Sequence, residues 1–220
     1  MNIPILKFDY SNVSTTHFIN FWSAYYVYAK SEYLYDDTIN NATFSPEDIR
    51  KLYEWKNGMK LNGHVPKEAS VNKVLSKLNI VNQLKSQFDM SVFNSNFKDI
   101  SAIWKLFLLH IIQPSTFPIF DQHVYRAHFF IINNEIDEIK ASNKFKETYY
   151  YNVYLPYYNS LIGNSSDLRK IDKALWSFGK FLKTTYAPKL TIERFEEQDD
   201  FLPRKSDQEI ILNTKLQVLD

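Results

Sequence analysis

A single carboxylate, that of Asp121, stands where an apolar, proline-containing segment gives way to a stretch of helical composition. The residues from Thr116 to His128 read TFPIFDQHVYRAH. Two histidines and an arginine follow the carboxylate within this stretch. Residues of these types can stabilise positive charge, move protons and hold a water molecule, so the stretch is the first place to look for chemistry.

Two roles fit an aspartate at this point. As a helix N-cap, Asp121 would accept a hydrogen bond from the backbone N–H of Val124. As a catalytic group, it would be kept ionised by the positive end of the helix dipole. An ionised carboxylate beside apolar residues suits the stabilisation of a developing positive charge or the positioning of a water. The residues alone leave both roles open.

The elements that position Asp121 are predicted to be helices. The large apolar side chains from Ile100 to Ile112 recur at helical spacing, and Pro114 stops that helix. The helix that Asp121 opens is predicted to run to about Ile132.

The N-terminal half carries further helix signals. The aromatic-rich segment from Thr16 to Tyr35 predicts one largely buried helix. Ser45 as N-cap and Pro46 at the first helical position begin another helix, which Gly58 or Gly63 ends.

The remaining segments complete a mainly α fold. Residues 70–92 are predicted to hold one or two helices, residues 93–99 a polar turn, and residues 134–162 a tyrosine-dense helix broken near Pro156. A last helix spans residues 168–182. We therefore predict one globular helical domain over residues 1–187 and a C-terminal extension or arm over residues 188–220.

Composition narrows the possible functions. The chain has only four glycines and 16% aromatic residues, which argues against glycine-rich phosphate loops. The absence of cysteine excludes disulfides, thiolate metal sites and a cysteine nucleophile, and the five histidines lack metal-ligand spacing. We predict no metal and no cofactor. Without a long uncharged apolar segment, the chain is expected to be cytoplasmic with no membrane partner.

The segment from residue 96 to residue 132 resembles the C-terminal part of the helix-hairpin-helix DNA glycosylase motif. In that family an apolar helix is followed by a short proline-containing loop and then by a catalytic aspartate, which opens the next helix. His123, Val124 and Arg126 match the family pattern in order after Asp121, whereas Pro118 lies one position further upstream than in the family. The glycine-containing hairpin turn of the family has no counterpart here.

The resemblance implies a DNA glycosylase that hydrolyses the N-glycosidic bond of a modified or damaged base flipped out of double-stranded DNA. Asp121 would be the catalytic residue, stabilising an oxocarbenium-like sugar and orienting water, as carboxylates do in glycoside hydrolysis. No lysine occupies the expected nucleophile position, so a monofunctional hydrolase is expected. Such an enzyme would act in base-excision repair or in bacterial defence against phage DNA.

The same resemblance assigns binding residues. Gln122, His123 and Arg126 would shape the surroundings of Asp121, and an aromatic pocket would hold the flipped base. Candidates for that pocket are Trp22, Tyr26 and Trp55. Because the hairpin glycines are missing, the phosphate contacts would come from Asn96, Lys98 and Lys105.

Two alternatives stay open. Asp121 followed by Glu138 and Lys140 imitates the carboxylate and lysine signature of magnesium-dependent nucleases, which requires the last two residues on a strand. The second alternative is a helical module for nucleic-acid or protein interaction that retains a glycosylase-like core without catalysis.

Overall fold

The computed structural model describes residues 14–27, 31–61, 65–162 and 167–184. The chain divides into two compact units, one formed by Asn12–Lys180 and the other by Met1–Ser11 with Phe181–Asp220. Apart from the end of the last helix, every residue discussed below belongs to the unit Asn12–Lys180. The predicted arm over residues 188–220 lies outside the described residues.

The described chain is mainly helical and contains no strand, which confirms the predicted fold class at the level of a mainly α protein. The helices are α1 Thr15–Ala24, α2 Glu32–Asp36, α3 Pro46–Asn57, α4 Val65–Leu75, α5 Leu78–Ser86, α6 Met90–Phe97, α7 Ala102–Ile112, α8 Gln122–Asn133, α9 Asn143–Tyr149, a π-helical turn Tyr150–Tyr154, α10 Leu155–Ile162 and α11 Leu168–Phe181.

Helix α3 begins and ends at the predicted residues. The Ser45 hydroxyl accepts from the backbone N–H of Asp48, and the Asp48 carboxylate accepts from the backbone N–H of Ser45 in return. Gly58 closes the helix in the left-handed conformation with φ 74°. These local signals are strong because each satisfies backbone groups that a helix end leaves unpaired.

Two predictions for the first hundred residues are wrong. The first concerns the aromatic segment, which forms two helices, α1 and α2, instead of one. After α1 the backbone N–H groups of Tyr25 and Tyr26 donate to the carbonyls three residues earlier, those of Trp22 and Ser23, and the helix ends there. Only Ile19 of α1 is buried, and Phe21 and the C-cap residue Tyr25 are 41% and 59% exposed, so the aromatic face of this helix is covered only in part.

The predicted polar turn over residues 93–99 is instead occupied by most of α6. The Asp89 carboxylate caps this helix by accepting from the backbone N–H groups of Ser91 and Val92 at 2.7 and 3.0 Å. Phe93 and Phe97 bury one face, and the asparagines and serines between them occupy the rest of the helix surface. The spacing of two phenylalanines outweighs the turn propensity of the polar residues.

The apolar helix α7 forms the centre of the unit and is almost wholly buried. At its end the His110 side chain joins two other segments. Its Nδ1 lies 2.7 Å from the Phe117 carbonyl oxygen, and its Nε2 lies 2.6 Å from the Tyr35 hydroxyl of α2. Nδ1 therefore carries the proton and Nε2 accepts one from the tyrosine. Burial lowers the pKa of His110 to about 3.

We expect this neutral histidine to make the fold sensitive to acid. The unfolded chain takes up a proton at the ordinary histidine pKa of about 6.5, whereas the folded chain does so only near pH 3. Unfolding therefore becomes easier as the pH falls from about 6.5. In urea titrations between pH 7 and pH 4, His110→Gln should lose less stability with falling pH than the unmodified chain. The exposed His17, changed to Gln, serves as control. Parallel losses in all three proteins would contradict this account.

Helices α8 and α11 approach each other closely where Gly179 faces the start of α8. A Cβ placed on Gly179 would lie 1.8 Å from the His123 carbonyl oxygen. Beside this point the guanidinium of Arg126, which is 0% exposed, donates to the Gly179 carbonyl at 2.7 Å. It also holds Glu138 with three hydrogen bonds of 2.6 to 3.0 Å. The first turn of α8 is thereby fixed against α11.

The π-helical turn between α9 and α10 supports the loop that precedes Asp121. Tyr150 and Tyr154, both fully buried, donate from their hydroxyl groups to the carbonyls of Pro118 and Ile119 at 3.1 and 3.3 Å. The segment stays helical at Pro156, the second residue of α10, but its α geometry is interrupted by the π turn directly before this proline, near the predicted break. In a regular α-helix the ring would clash with the carbonyl four residues before it, and the wider π turn lies at that point.

Candidate active site around Asp121

Asp121 is the N-cap of α8, as the sequence predicts. One carboxylate oxygen, Oδ1, accepts from the backbone N–H groups of His123 and Val124 at 2.8 and 3.0 Å. The backbone of Asp121 is extended, with φ −158° and ψ −173°, so the chain enters the helix sharply at this residue. The other oxygen, Oδ2, is left for partners outside the helix.

Lys56 of α3 is that partner. Its Nζ lies 3.0 Å from Asp121 Oδ2, and the two side chains are only 8% and 16% exposed. Burial would raise the pKa of Asp121, but the charge of Lys56, the nearby His123 and the Val124 N–H outweigh it and hold the pKa below its usual range. Asp121 is therefore an ionised carboxylate that retains some access to solvent.

A pocket opens beside this ion pair. Its walls combine aromatic, cationic and acidic side chains: Tyr26, Trp55, Lys56, Ile119, Asp121, Val124, Arg169, Asp172 and Trp176. The space open to a water molecule is about 30 Å³, which is enough for one or two waters. A nucleobase needs more room, so a base could enter only if part of the wall moved.

Asp172 is a second carboxylate in this pocket. It is 4% exposed, and its Oδ1 has no hydrogen-bond partner among the described residues. Burial raises the pKa of Asp172 to about 7, with the negative charge of Asp121 adding to the effect; Arg169, Lys56 and the Ile119 N–H oppose it. The pKa values of the two carboxylates of the pocket therefore differ, so that near pH 7 Asp121 is ionised and Asp172 is about half protonated. Such a division of roles is typical of acid–base sites.

Arg169 holds the aromatic wall together. Its guanidinium donates to Glu32 at 2.7 Å and to the Tyr26 hydroxyl at 3.1 Å. The same group lies over the rings of Tyr26, Tyr35 and Trp55, with centroid distances of 5.3, 4.7 and 5.0 Å. The Trp55 indole N–H also donates to Glu32, at 3.1 Å. Because the segment after α1 and the helices α2, α3 and α11 all contribute, this wall depends on tertiary packing.

The structure brings three of the predicted site residues together, since Asp121, Trp55 and Tyr26 line the same pocket. Trp22 is not part of this lining and packs on Phe178, with ring centroids 5.0 Å apart. Gln122 is exposed on the first turn of α8.

His123 and Arg126, which were predicted to shape the surroundings of Asp121, do not line the pocket either. The His123 ring contacts Trp176 of the lining at a centroid distance of 5.3 Å. Arg126 is turned into the core toward α11 and Glu138, and its Nη1 lies 3.2 Å from His123 Nδ1. Both therefore lie behind the wall of the pocket.

The three residues predicted to contact DNA phosphates occupy different environments. Lys98 is exposed directly after α6. Asn96 is half-buried and donates to the Val92 carbonyl at 2.9 Å. Lys105 is 5% exposed and pairs with Glu147 at 3.0 Å, so in this conformation its ammonium is engaged within the protein.

The residues of the nuclease alternative lie in the segment between α8 and α9, outside any helix. Glu138 pairs with Arg126, and the Lys140 ammonium lies 5.1 Å from the centre of the Phe145 ring. In the part of the chain that the structure describes, no group of three or more His, Asp or Glu side chains could hold a metal ion.

Sequence reasoning did not assign six of the nine lining residues to a site: the apolar Ile119 and Val124, and also Lys56, Arg169, Asp172 and Trp176. Runs rich in lysine and arginine, such as those around residues 56 and 169, usually form solvated helix faces, yet the Lys56 side chain is only 8% exposed and Asp172 is buried. The sequence contains one indication that Asp172 is buried. It follows Leu168 by four residues and precedes Leu175 by three, which places it within the apolar stripe of α11.

Comparisons of the chain with protein-family models, with curated proteins and with solved structures give no match. Among the described residues, no helix is both long and apolar enough to cross a membrane.

Proposed function

We propose that this protein hydrolyses the N-glycosidic bond of a modified or damaged base in DNA, with Asp121 as the carboxylate that stabilises the sugar. One observation carries the proposal: an ionised carboxylate at a helix start lines a pocket whose walls include the three aromatic side chains Tyr26, Trp55 and Trp176. The sequence resemblance to helix-hairpin-helix glycosylases supports it independently. The reaction would serve base-excision repair or defence against phage DNA.

The expected chemistry follows from the charge of Asp121. When the bond to the base breaks, positive charge develops on the sugar, and a negative carboxylate within the pocket lowers the energy of that state. Burial keeps this interaction strong because little water screens it. The aromatic rings of Tyr26, Trp55 and Trp176 offer flat apolar surfaces for a base removed from the stack.

The order of helices around Asp121 fits the same proposal. Helices α6 and α7 are joined by only a few residues, and the loop after α7 leads into Asp121 and α8. This is the succession that the glycosylase resemblance implies. Because the loop between α6 and α7 lacks glycine, we propose that side chains such as Lys98 contact the phosphates there.

The test uses four duplex oligonucleotides that each carry one altered base: uracil, hypoxanthine, 7-methylguanine or 5-hydroxymethylcytosine. Abasic sites left by base release are detected as strand breaks after alkaline treatment. We expect release from at least one duplex, and we expect Asp121→Asn to slow it by about a thousandfold, because the negative charge is lost while the shape is kept.

Asp89→Asn is the matched control. Asp89 caps α6 with the same pair of backbone hydrogen bonds, but it lies outside the pocket. The control should keep full activity. If no duplex loses its base, or if Asp121→Asn is as active as Asp89→Asn, the proposed function is wrong.

A second candidate function is a helical binding module without catalysis. Two observations favour it: the pocket has room for only one or two waters, and Lys56 already neutralises Asp121. In that case the protein would bind duplex DNA or a protein partner with equal affinity in the Asp121→Asn and unmodified forms, and no base would be released.

A further inference from the structure

We propose that Asp172 is the proton donor of this pocket, a neutral carboxylic acid that gives its proton to the departing base while Asp121 remains ionised. The inference rests on the proposed function, which it deepens by dividing the reaction between two carboxylates. Nothing in the sequence resemblance assigns a role to α11.

Asp172 lies in the same pocket as Asp121. It comes from a different element, however, one turn after Arg169 on α11. It is 4% exposed, and Oδ1 has no hydrogen-bond partner among the described residues. A buried polar atom without a partner destabilises a fold, so one on a residue that lines a pocket has bonding capacity left for a ligand or a transferred proton.

The groups around Asp172 act on its pKa in opposite directions. Arg169 on its own helix, Lys56 on α3 and the Ile119 N–H favour the ionised form, whereas burial and the charge of Asp121 favour the neutral form. The other titratable groups that influence it are phenols from α2, the π turn and α10, all of which have raised pKa values and stay neutral: Tyr35, Tyr150, Tyr154 and Tyr158. Burial prevails, and the pKa of Asp172 is about 7.

A carboxyl group with this property suits the leaving step. A neutral base departs from the sugar poorly unless one of its nitrogen or oxygen atoms gains a proton. The Asp172 O–H would donate that proton as the bond between the sugar carbon and the base nitrogen breaks, and the bonding electrons would go to the base. Water then attacks the sugar carbon and returns a proton to Asp172, so that the sum is addition of one water molecule across the bond.

The other polar groups of the pocket are poorer donors. Burial raises the pKa of Tyr26 above the ordinary tyrosine value. The guanidinium of Arg169 stays protonated at all relevant pH values, because Asp172, Tyr26 and Glu32 surround it. Among these groups Asp172 best combines a bound proton near neutral pH with an oxygen that lacks a partner.

The test compares Asp172→Asn with Asp167→Asn, a change to an exposed carboxylate at the start of the same helix. Asparagine resembles a neutral aspartic acid in shape, so the fold should survive. On duplexes carrying uracil, hypoxanthine or 5-hydroxymethylcytosine we expect Asp172→Asn to slow base release by about a hundredfold. On 7-methylguanine, whose positive charge removes the need for a proton, the loss should stay within about threefold. Asp167→Asn should change neither rate.

The dependence of the rate on pH provides a second readout. With a neutral base, the unmodified protein should lose activity as the pH rises through about 7, where Asp172 ionises, and Asp172→Asn should lack this decline. The carbon resonance of the Asp172 carboxyl group, assigned by its absence from the Asn variant, should titrate over the same range.

The outcomes separate the two proposals. If the unmodified protein releases no base from any duplex, the proposed function fails and the donor role fails with it. If base release requires Asp121 but the Asp172 carboxyl titrates below pH 5, only the donor role is overturned. The donor role alone is also overturned if Asp172→Asn slows the release of 7-methylguanine as strongly as that of the neutral bases, or if it leaves all rates unchanged.

Discussion

Replacement of Gly179 by alanine is expected to destroy the folded state of the unit Asn12–Lys180. The added methyl carbon would lie 1.8 Å from the carbonyl oxygen and 2.6 Å from the carbonyl carbon of His123, both of them backbone atoms. No side-chain rotation can relieve such an overlap, so α8 and α11 would have to separate. Separation would also break the hydrogen bond from Arg126 to the Gly179 carbonyl and leave the buried guanidinium with one hydrogen bond fewer. We expect a loss of more than about 4 kcal/mol, a large share of the stability of an ordinary domain.

Urea unfolding followed by circular dichroism and tryptophan fluorescence measures this effect. The matched control is Ser177→Ala, two residues earlier on the same helix. Ser177 is 5% exposed and its hydroxyl has no hydrogen-bond partner among the described residues, so its removal should leave stability unchanged or slightly higher. A Gly179→Ala protein that unfolds at the same urea concentration as the control would show that α8 and α11 are not in contact at this point.

Replacement of Lys56 by methionine should have the second largest effect. It removes the cation 3.0 Å from Asp121 and leaves two buried carboxylates, Asp121 and Asp172, with less compensation. The loss of one member of a buried ion pair destabilises proteins by about 3–5 kcal/mol. The pKa values of both carboxylates should rise, since Lys56 lowers each of them. The stability deficit should therefore shrink as the pH falls and the carboxylates take up protons.

A double-mutant cycle distinguishes the ion pair from lost packing. Lys56→Met combined with Asp121→Asn should recover part of the stability lost in Lys56→Met alone, because the uncompensated charge is gone. Lys60→Met, at an exposed position after α3, should be neutral. If the double variant is less stable than Lys56→Met by the full cost of Asp121→Asn, the two side chains do not interact.

The sequence predicts the elements whose signals are local. Ser45, Pro46 and Gly58 delimit α3 because their preferred conformations and capping bonds depend on neighbours within a few residues. Asp121 is recognisable as a cap for the same reason. The exposure of α1 was not recognisable, because periodicity shows that a face is apolar but not whether anything covers it.

The pocket depends on contacts between residues far apart in the chain. Asp121 and Lys56 are 65 positions apart, and Arg169 and Glu32 are 137 positions apart. No short pattern encodes such pairs, and most charged side chains lie in solvent, so the burial of charged residues on α3 and α11 could not be predicted from the sequence. Arg126 illustrates the opposite error: its closeness to Asp121 in sequence indicated a place in the site, whereas its position on α8 directs it toward α11.

The π turn at Tyr150–Tyr154 makes the length of this segment a constraint on evolution and engineering. A π turn holds one residue more than an α turn, so it absorbs that residue without rotating the helices on either side of it. A residue inserted into or deleted from α9 has no such compensation and would rotate Tyr154 by about 100°, away from the Ile119 carbonyl that it now supports. Substitutions along the exposed face of this helix leave its register unchanged.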